Sequence, residues 1–309
     1  MAKTRALKRR IKSVQSTRKI TRTMEMVSTS KLKRAQDRVV AARPYAQALA
    51  AAIGDLLTPE LTERFALLRT PPAPEKGGPK TAAVLLVTSN RGLAGAFNAN
   101  LIKMTVARCK DLESKGYQAE LYLVGKKGIR FFQHSKRKAA LARTDIGDRP
   151  TAAHALEIVT PLIAAYEAGT LASLDVVYAT FRSALSTPPA LMQVLPIEAG
   201  GRGDGGTGGK GIAPTTRPPD HPSAFYILKP GADEILVQLL PLYVKNQVYR
   251  ALVETAASEH GARRTAMKNA TDNADEMLGI LTRTFNRARQ AQITQEISEI
   301  VGGASALAG

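Results

Sequence analysis

The sequence predicts an all-α coiled coil joined to an α/β domain: two long terminal helices pair antiparallel, and a strand–helix pattern is inserted between them. Three observations predict this. Near the C-terminus Met267, Ala270, Ala274, Met277, Leu281, Thr284, Ala288 and Ala291 recur at alternating spacings of three and four. Near the N-terminus Leu32, Ala35, Val39, Ala42, Ala46, Leu49, Ile53 and Leu56 keep the same rhythm. An a/d seam sustained for about four heptads at each end calls for a partner helix. Between the ends, short apolar runs alternate with helical stretches, which is the pattern of a mostly parallel, layered sheet.

The first helix is expected from about Thr4 to Leu57, within a segment 1–58 that forms one strand of the shaft. Leu7, Ile11 and Val14 already carry its periodicity, which favours a mature helix over a transit peptide for the Arg-rich opening. Pro44 lies inside it and should cost a hydrogen bond and a kink rather than end it. Residues 70–80 are rich in Pro and Gly and form a linker.

An α/β head follows over 80–198. Ala82–Thr88, Glu120–Val124, Leu174–Phe181 and Leu191–Ile197 read as strands. Asn98–Lys115, Lys127–His134 and Thr151–Ala168 read as helices. Residues 199–222 are low-complexity Gly and Pro, from which no core can be built, so 199–231 is expected to be a flexible loop leading into the next helix. From Asp233 to about Val301, within a segment 232–309, the helical pattern resumes. A helix on the order of 100 Å long does not stay ordered alone and needs the first as its partner.

Charge is unevenly spread. The chain has 309 residues and a formal net charge of +18, and residues 1–43 hold fourteen Lys or Arg against two acids. A basic first helix beside a nearly balanced last one predicts a polyanionic partner: nucleic acid, anionic lipid or an acidic protein surface. Cys109 is the single cysteine, so no internal disulfide is possible and a reducing compartment is expected. The four histidines lack ligand spacing, so no metal site and no cofactor are expected. No apolar run approaches the roughly 20 residues that span a bilayer.

Three stretches carry candidate chemistry. Residues Val87–Asn98 follow a strand and open a helix, the position of a phosphate-binding loop. They lack the GK[ST] ending of a P-loop and the GxGxxG spacing, so a tight strand-to-helix turn fits better than nucleotide binding. The basic cluster Lys8, Arg9, Arg10, Lys31, Lys33 and Arg34 suits nucleic acid, a docking face for acidic protein loops, or a solvated helix face. No aromatic residue accompanies it to stack on bases. Arg289, Gln290, Thr294 and Glu296 crowd hydrogen-bonding groups near the end of the C-terminal seam, either as a plain helix end or as a tip that meets another protein.

Several motifs together resemble the gamma subunit of F-type ATP synthases. They are Ile20–Gln36, Arg43–Tyr45, Thr88–Asn98, Tyr243–Tyr249, Ala266–Ala274 and Arg287–Gly303, in order along the whole chain. The resemblance implies a non-catalytic rotor shaft with a Rossmann-like head. Its partners would be the alpha and beta subunits of the catalytic ring, the epsilon subunit and the membrane ring of c subunits, with no nucleic acid bound. It implies peripheral attachment at the cytoplasmic face of a bacterial inner membrane. By matching motif, Arg289, Gln290 and Thr294 would form a catch with catalytic-subunit loops. Lys19, Arg22 and Met24 would face an acidic lever of the same subunits, and Tyr226 and Lys229 the c ring. Lys229 stands where some relatives carry an acid. The 199–222 loop is longer than in compact bacterial relatives and has no cysteine for a dithiol switch.

Overall fold

A computed structural model describes residues 2–56, 59–69, 80–197 and 232–308. The elements are α1 (Ala2–Leu56), α2 (Pro59–Arg64), β1 (Thr81–Val87), α3 (Phe97–Ser114), β2 (Gln118–Val124), α4 (Lys126–His134), β3 (Ala139–Arg143), α5 (Ala152–Glu167), β4 (Leu171–Ala179), β5 (Pro189–Leu195) and α6 (Ala232–Ala308). The chain divides into two compact units: residues 1–29 with 263–309, and residues 30–262. Both terminal helices therefore contribute to both units.

The larger unit is built on a five-stranded sheet of order β3-β2-β1-β4-β5. β1 pairs parallel with β2 and β4, β2 pairs parallel with β3, and β4 pairs antiparallel with the edge strand β5. Side chains alternate across β1, as the two-residue period requires. Ala82, Val84 and Leu86 face α3 and α4 through Phe97, Leu101, Leu112, Ile129 and Phe132. Ala83, Leu85 and Val87 face the other way, into a cluster with Ile158 and Leu162 of α5, Leu236, Leu240 and Val244 of α6, and Leu49 and Ile53 of α1. The helices on the second face thus include parts of both terminal helices. Leu32, Ala35 and Val39 of α1 form a further cluster with Phe181, Val253 and Ala257.

α5 starts where its capping chemistry dictates. Thr151 accepts from His154 N, and His154 Nδ1 accepts from Thr151 N, so two orphan donors of the first turn are satisfied reciprocally. Gly125, between β2 and α4, has φ +99, and a Cβ there would stand 2.1 Å from Thr88 O. Only glycine fits that turn.

The smaller unit is a pair of antiparallel helices. Thr4 donates to Gln292 Oε1 at 3.0 Å, Arg18 meets Asp275 at 2.5 Å, and Thr271 donates to Thr21 Oγ1 at 2.7 Å. As the α1 number rises the α6 number falls, which fixes the antiparallel sense.

Three expectations need correction. The seam at 32–56 follows its expected positions but does not pair with 267–291. It packs with residues 236–257 of the same C-terminal helix within the larger unit, while the first 28 residues of α1 pair with the part of α6 beyond residue 262. In α6, Met267, Ala274, Leu281 and Ala288 lie in the seam as expected, whereas Met277 is 45 % exposed and Thr284 and Ala291 are exposed. The alternate layer consists of Thr271, Leu278, Phe285 and Gln292, which are buried or half-buried. Spacings of three-then-four and four-then-three fit the same apolar anchors, and the polar Thr271 and Gln292 hid the true phase. Finally, β3 was not expected, because its five residues lack the β-branched side chains that mark a strand.

Candidate functional site

In a doubly wound sheet, ligands bind outside the carboxyl ends of the strands, where neighbouring crossovers leave in opposite directions. Here that place lies at the ends of β1 and β4, and α6 closes its β4 side. Thr255 Oγ1 accepts from Ala179 N at 3.2 Å, and Ser258 Oγ donates to Ala179 O at 3.1 Å. Glu254 accepts from Phe181 N at 3.4 Å and is itself held by Arg250 at 2.8 Å. The crevice that elsewhere holds a nucleotide grips a helix.

The loop after β1 behaves as a turn. Ser89 Oγ donates to Arg91 O at 2.5 Å, and Asn98 Oδ1 accepts from Ser89 N at 3.0 Å. The first amides of α4, where an anion would sit, are already engaged. Lys126 N donates to Asn90 Oδ1, Lys127 N to Ser89 O, and Gly128 N to Thr88 Oγ1. A cleft of about 540 Å³ remains between these loops, the 144–149 loop and α6, lined among others by Thr88, Arg91, Lys126, Asp148 and Glu259. Its rim mixes cations with carboxylates.

The 144–149 loop is the best-connected part of this rim. Asn90 Nδ2 donates to Thr144 O and Ile146 O, each at 3.0 Å. Asp148 pairs with Lys31 of α1 and lies 3.8 Å from His260 Nε2 of α6. Its carbonyl accepts from Arg38 of α1 at 3.2 Å. Burial pushes the Asp148 carboxyl up, but the Lys31 hydrogen bond and the charges of His260, Lys31 and Arg91 outweigh it, leaving the group below the usual carboxylate range. Nothing in the sequence marked this residue: an aspartate in a Gly-containing loop ordinarily reads as turn chemistry.

The candidate residues on the helices fall into two separate places in the smaller unit. Lys19 and Arg22 are exposed and Met24 is half-buried, near the Thr21–Thr271 contact. Arg289, Gln290 and Thr294 are exposed on α6, beside the start of α1 at the Thr4–Gln292 contact. About 25 Å of helix separates the two sets at 1.5 Å per residue. Thr294 donates to its own helix at Gln290 O, 3.0 Å away, so Arg289 and the Gln290 amide are the groups turned outward. α6 continues to Ala308 with Ile293, Ile297, Ile300 and Val301 between 46 and 71 % exposed. Sequence reasoning did not single out these apolar positions. Tyr226 and Lys229, together with the 199–222 loop, lie outside the described residues.

Among the described residues no helix is long and apolar enough to cross a membrane, and no three His, Cys, Asp or Glu residues gather into a metal-binding group.

Comparison with known proteins places these features in context. A family model described as ATP synthase matches residues 3–307. The chain is 54 % identical over 309 residues to the ATP synthase gamma chain of Gemmatimonas aurantiaca, covering all of both chains. It is 41 % identical to that of Streptomyces coelicolor, covering 99 % of this chain and 97 % of the relative. Among solved structures, a chain of the Euglena gracilis mitochondrial ATP synthase shares its fold at a TM-score of 0.66, with 20 % identity, covering 99 % of this chain and 95 % of that one.

Proposed function

This chain belongs to the ATP synthase gamma-chain family, and from that premise we propose that its paired terminal helices form the asymmetric axle of the enzyme's central stalk. It is a non-catalytic subunit. Rotation of the membrane c ring turns it, and its turning drives conformational change in the three catalytic sites for ATP synthesis; in hydrolysis the sequence runs in reverse. Its partners are the alpha and beta subunits around the helices, and the c ring and epsilon subunit near the head. It joins the membrane complex as a peripheral component, on our reading at the cytoplasmic face of a bacterial inner membrane. The organisation we propose is helix at 1–58, Rossmann-like head at 80–198, c-ring-facing segment at 199–231 and helix at 232–309.

The observation that carries this reading is the antiparallel register of α1 and α6, with the side chains of 293–301 exposed. A lopsided helix pair inside a three-fold ring touches three equivalent sites differently, and such differences shift conformational populations. Moving a site from 1:99 to 99:1 takes about 5.5 kcal/mol of differential contact. A surface ion pair supplies about 0–1 kcal/mol, so the work is spread over many contacts. Arg289, with its planar fork of donors, suits carboxylate-bearing loops and forms with Gln290 and Thr294 the proposed catch. Lys19 and Arg22, beside Met24, face an acidic lever. Tyr226 and Lys229 are assigned to the c ring.

The test is co-purification. The native chain should elute in a complex far larger than its own 33.1 kDa. Elution alone, with salt-sensitive duplex DNA binding, would favour a nucleic-acid-binding protein instead. Stoichiometric ATP binding by the isolated chain would favour a nucleotide enzyme instead.

A further inference from the structure

We propose that Asp148 is a positioning residue that locks the sheet to both terminal helices within the larger unit, so that torque turns them together. The inference rests on the axle reading above. Directional ties on both sides join the sheet's carboxyl edge to the helices. On the β4 side, Thr255, Ser258 and Glu254 hold Ala179 and Phe181, and this tie involves α6 alone. On the β2 and β3 side, one residue reaches both helices. One Asp148 oxygen takes Lys31, the other faces His260, and its carbonyl takes Arg38. Arg91, in the loop after β1, adds a further positive charge near the carboxylate.

The loop bearing Asp148 cannot swing freely. Asn90 holds Thr144 O and Ile146 O while accepting from Lys126 N, which links the loop to the ends of β1 and β2. Ile146 is buried at 7 % exposure in the same apolar cluster as the helices. A continuous path therefore runs from two central strands through the loop to one carboxylate and on to α1 and α6. Apolar packing alone resists separation but yields to sliding, because it is non-directional. Directional bonds from one anchored residue to two helices resist rotation of the helices against the sheet.

The test uses the assembled, membrane-bound complex with Asp148→Asn and with Lys31→Gln. Three quantities are read: proton-driven ATP synthesis, unloaded ATP hydrolysis, and the angular spread of a probe fixed to the head during single-molecule rotation. Each single variant should lower synthesis about threefold, the change expected on losing one partly exposed ion pair. Angular spread should widen, while unloaded hydrolysis, which strains the clasp little, stays near the unaltered rate. Unchanged synthesis and spread in both single variants would overturn the proposal and leave the axle reading intact. Should Asp148→Asn fail to assemble, Lys31→Gln carries the same two outcomes. An unaltered chain that never enters a large complex would sink the axle reading itself.

Discussion

The two units bury their apolar groups very differently. In the larger one, Leu85, Leu174, Val176, Leu195 and Val244 are wholly excluded from solvent, shared between a sheet and helices on both faces. In the smaller one the buried apolar residues are few, and Thr21 and Thr271 are among the buried members of its seam. Ile20, Met26, Val27, Met277 and Ile280 there are 45–60 % exposed. A helix pair that leaves this much apolar surface outside is finished by what surrounds it, whereas the sheet unit holds itself together. That division suits a part whose head is a rigid body and whose shaft must slide against neighbours.

Substitutions that probe this contrast should rank accordingly. Leu174→Ala, in the sheet core, should cost about 2–5 kcal/mol, because the cavity cannot collapse. Leu281→Ala, in the helix seam, should cost about 2 kcal/mol or less, the transfer part alone, since solvent reaches the gap. Denaturant titration of the two variants checks the order; equal losses would remove the distinction between the units.

A smaller effect is electrostatic. Two hydrogen bonds from Arg143 hold the Asp145 carboxyl down at about 2. Because this value lies below the unfolded one, the pair's contribution is full above about pH 4 and fades as pH falls toward 2. The side chains are 24 and 50 % exposed, so screening limits it to a few tenths of a kcal/mol. Asp145→Asn should flatten that stretch of the stability–pH curve by this amount. The smallest stability change belongs to Arg289→Ala with Gln290→Ala, whose thermal midpoint should be unaltered. Coupled ATP turnover of the assembled complex should fall; undiminished turnover would remove the catch assignment.

Much of the architecture was legible because long helices repeat their signal. α1 showed its seam at every expected position from Leu32 to Leu56, since Leu, Val and Ile leave little ambiguity. α6 shows only part of its seam in the sequence, because Thr271 and Gln292, which hydrogen-bond across the pair, carry no apolar signal. β3 carried only alanines, leucine and arginine, and so gave no strand signal. The antiparallel sense of β5 depends on tertiary pairing, which no local pattern encodes. Arg289 and Gln290 stood out as polar groups at a helix end. Asp148 did not, because its importance comes from residues more than a hundred positions away.

The buried threonine contact has a consequence for how the helix pair bears force along its length. Thr271 donates to Thr21, which donates onward to Arg18 O at 3.0 Å. Only one lengthwise offset brings these hydroxyls together. Slippage by a single turn, about 5.4 Å, would break this bond across the pair, worth about 0.5–1.5 kcal/mol, while each hydroxyl keeps a carbonyl of its own helix, Arg18 O and Met267 O. The pair works as a dowel: it marks one lengthwise register as the favoured one while leaving two slender helices free to twist as a unit.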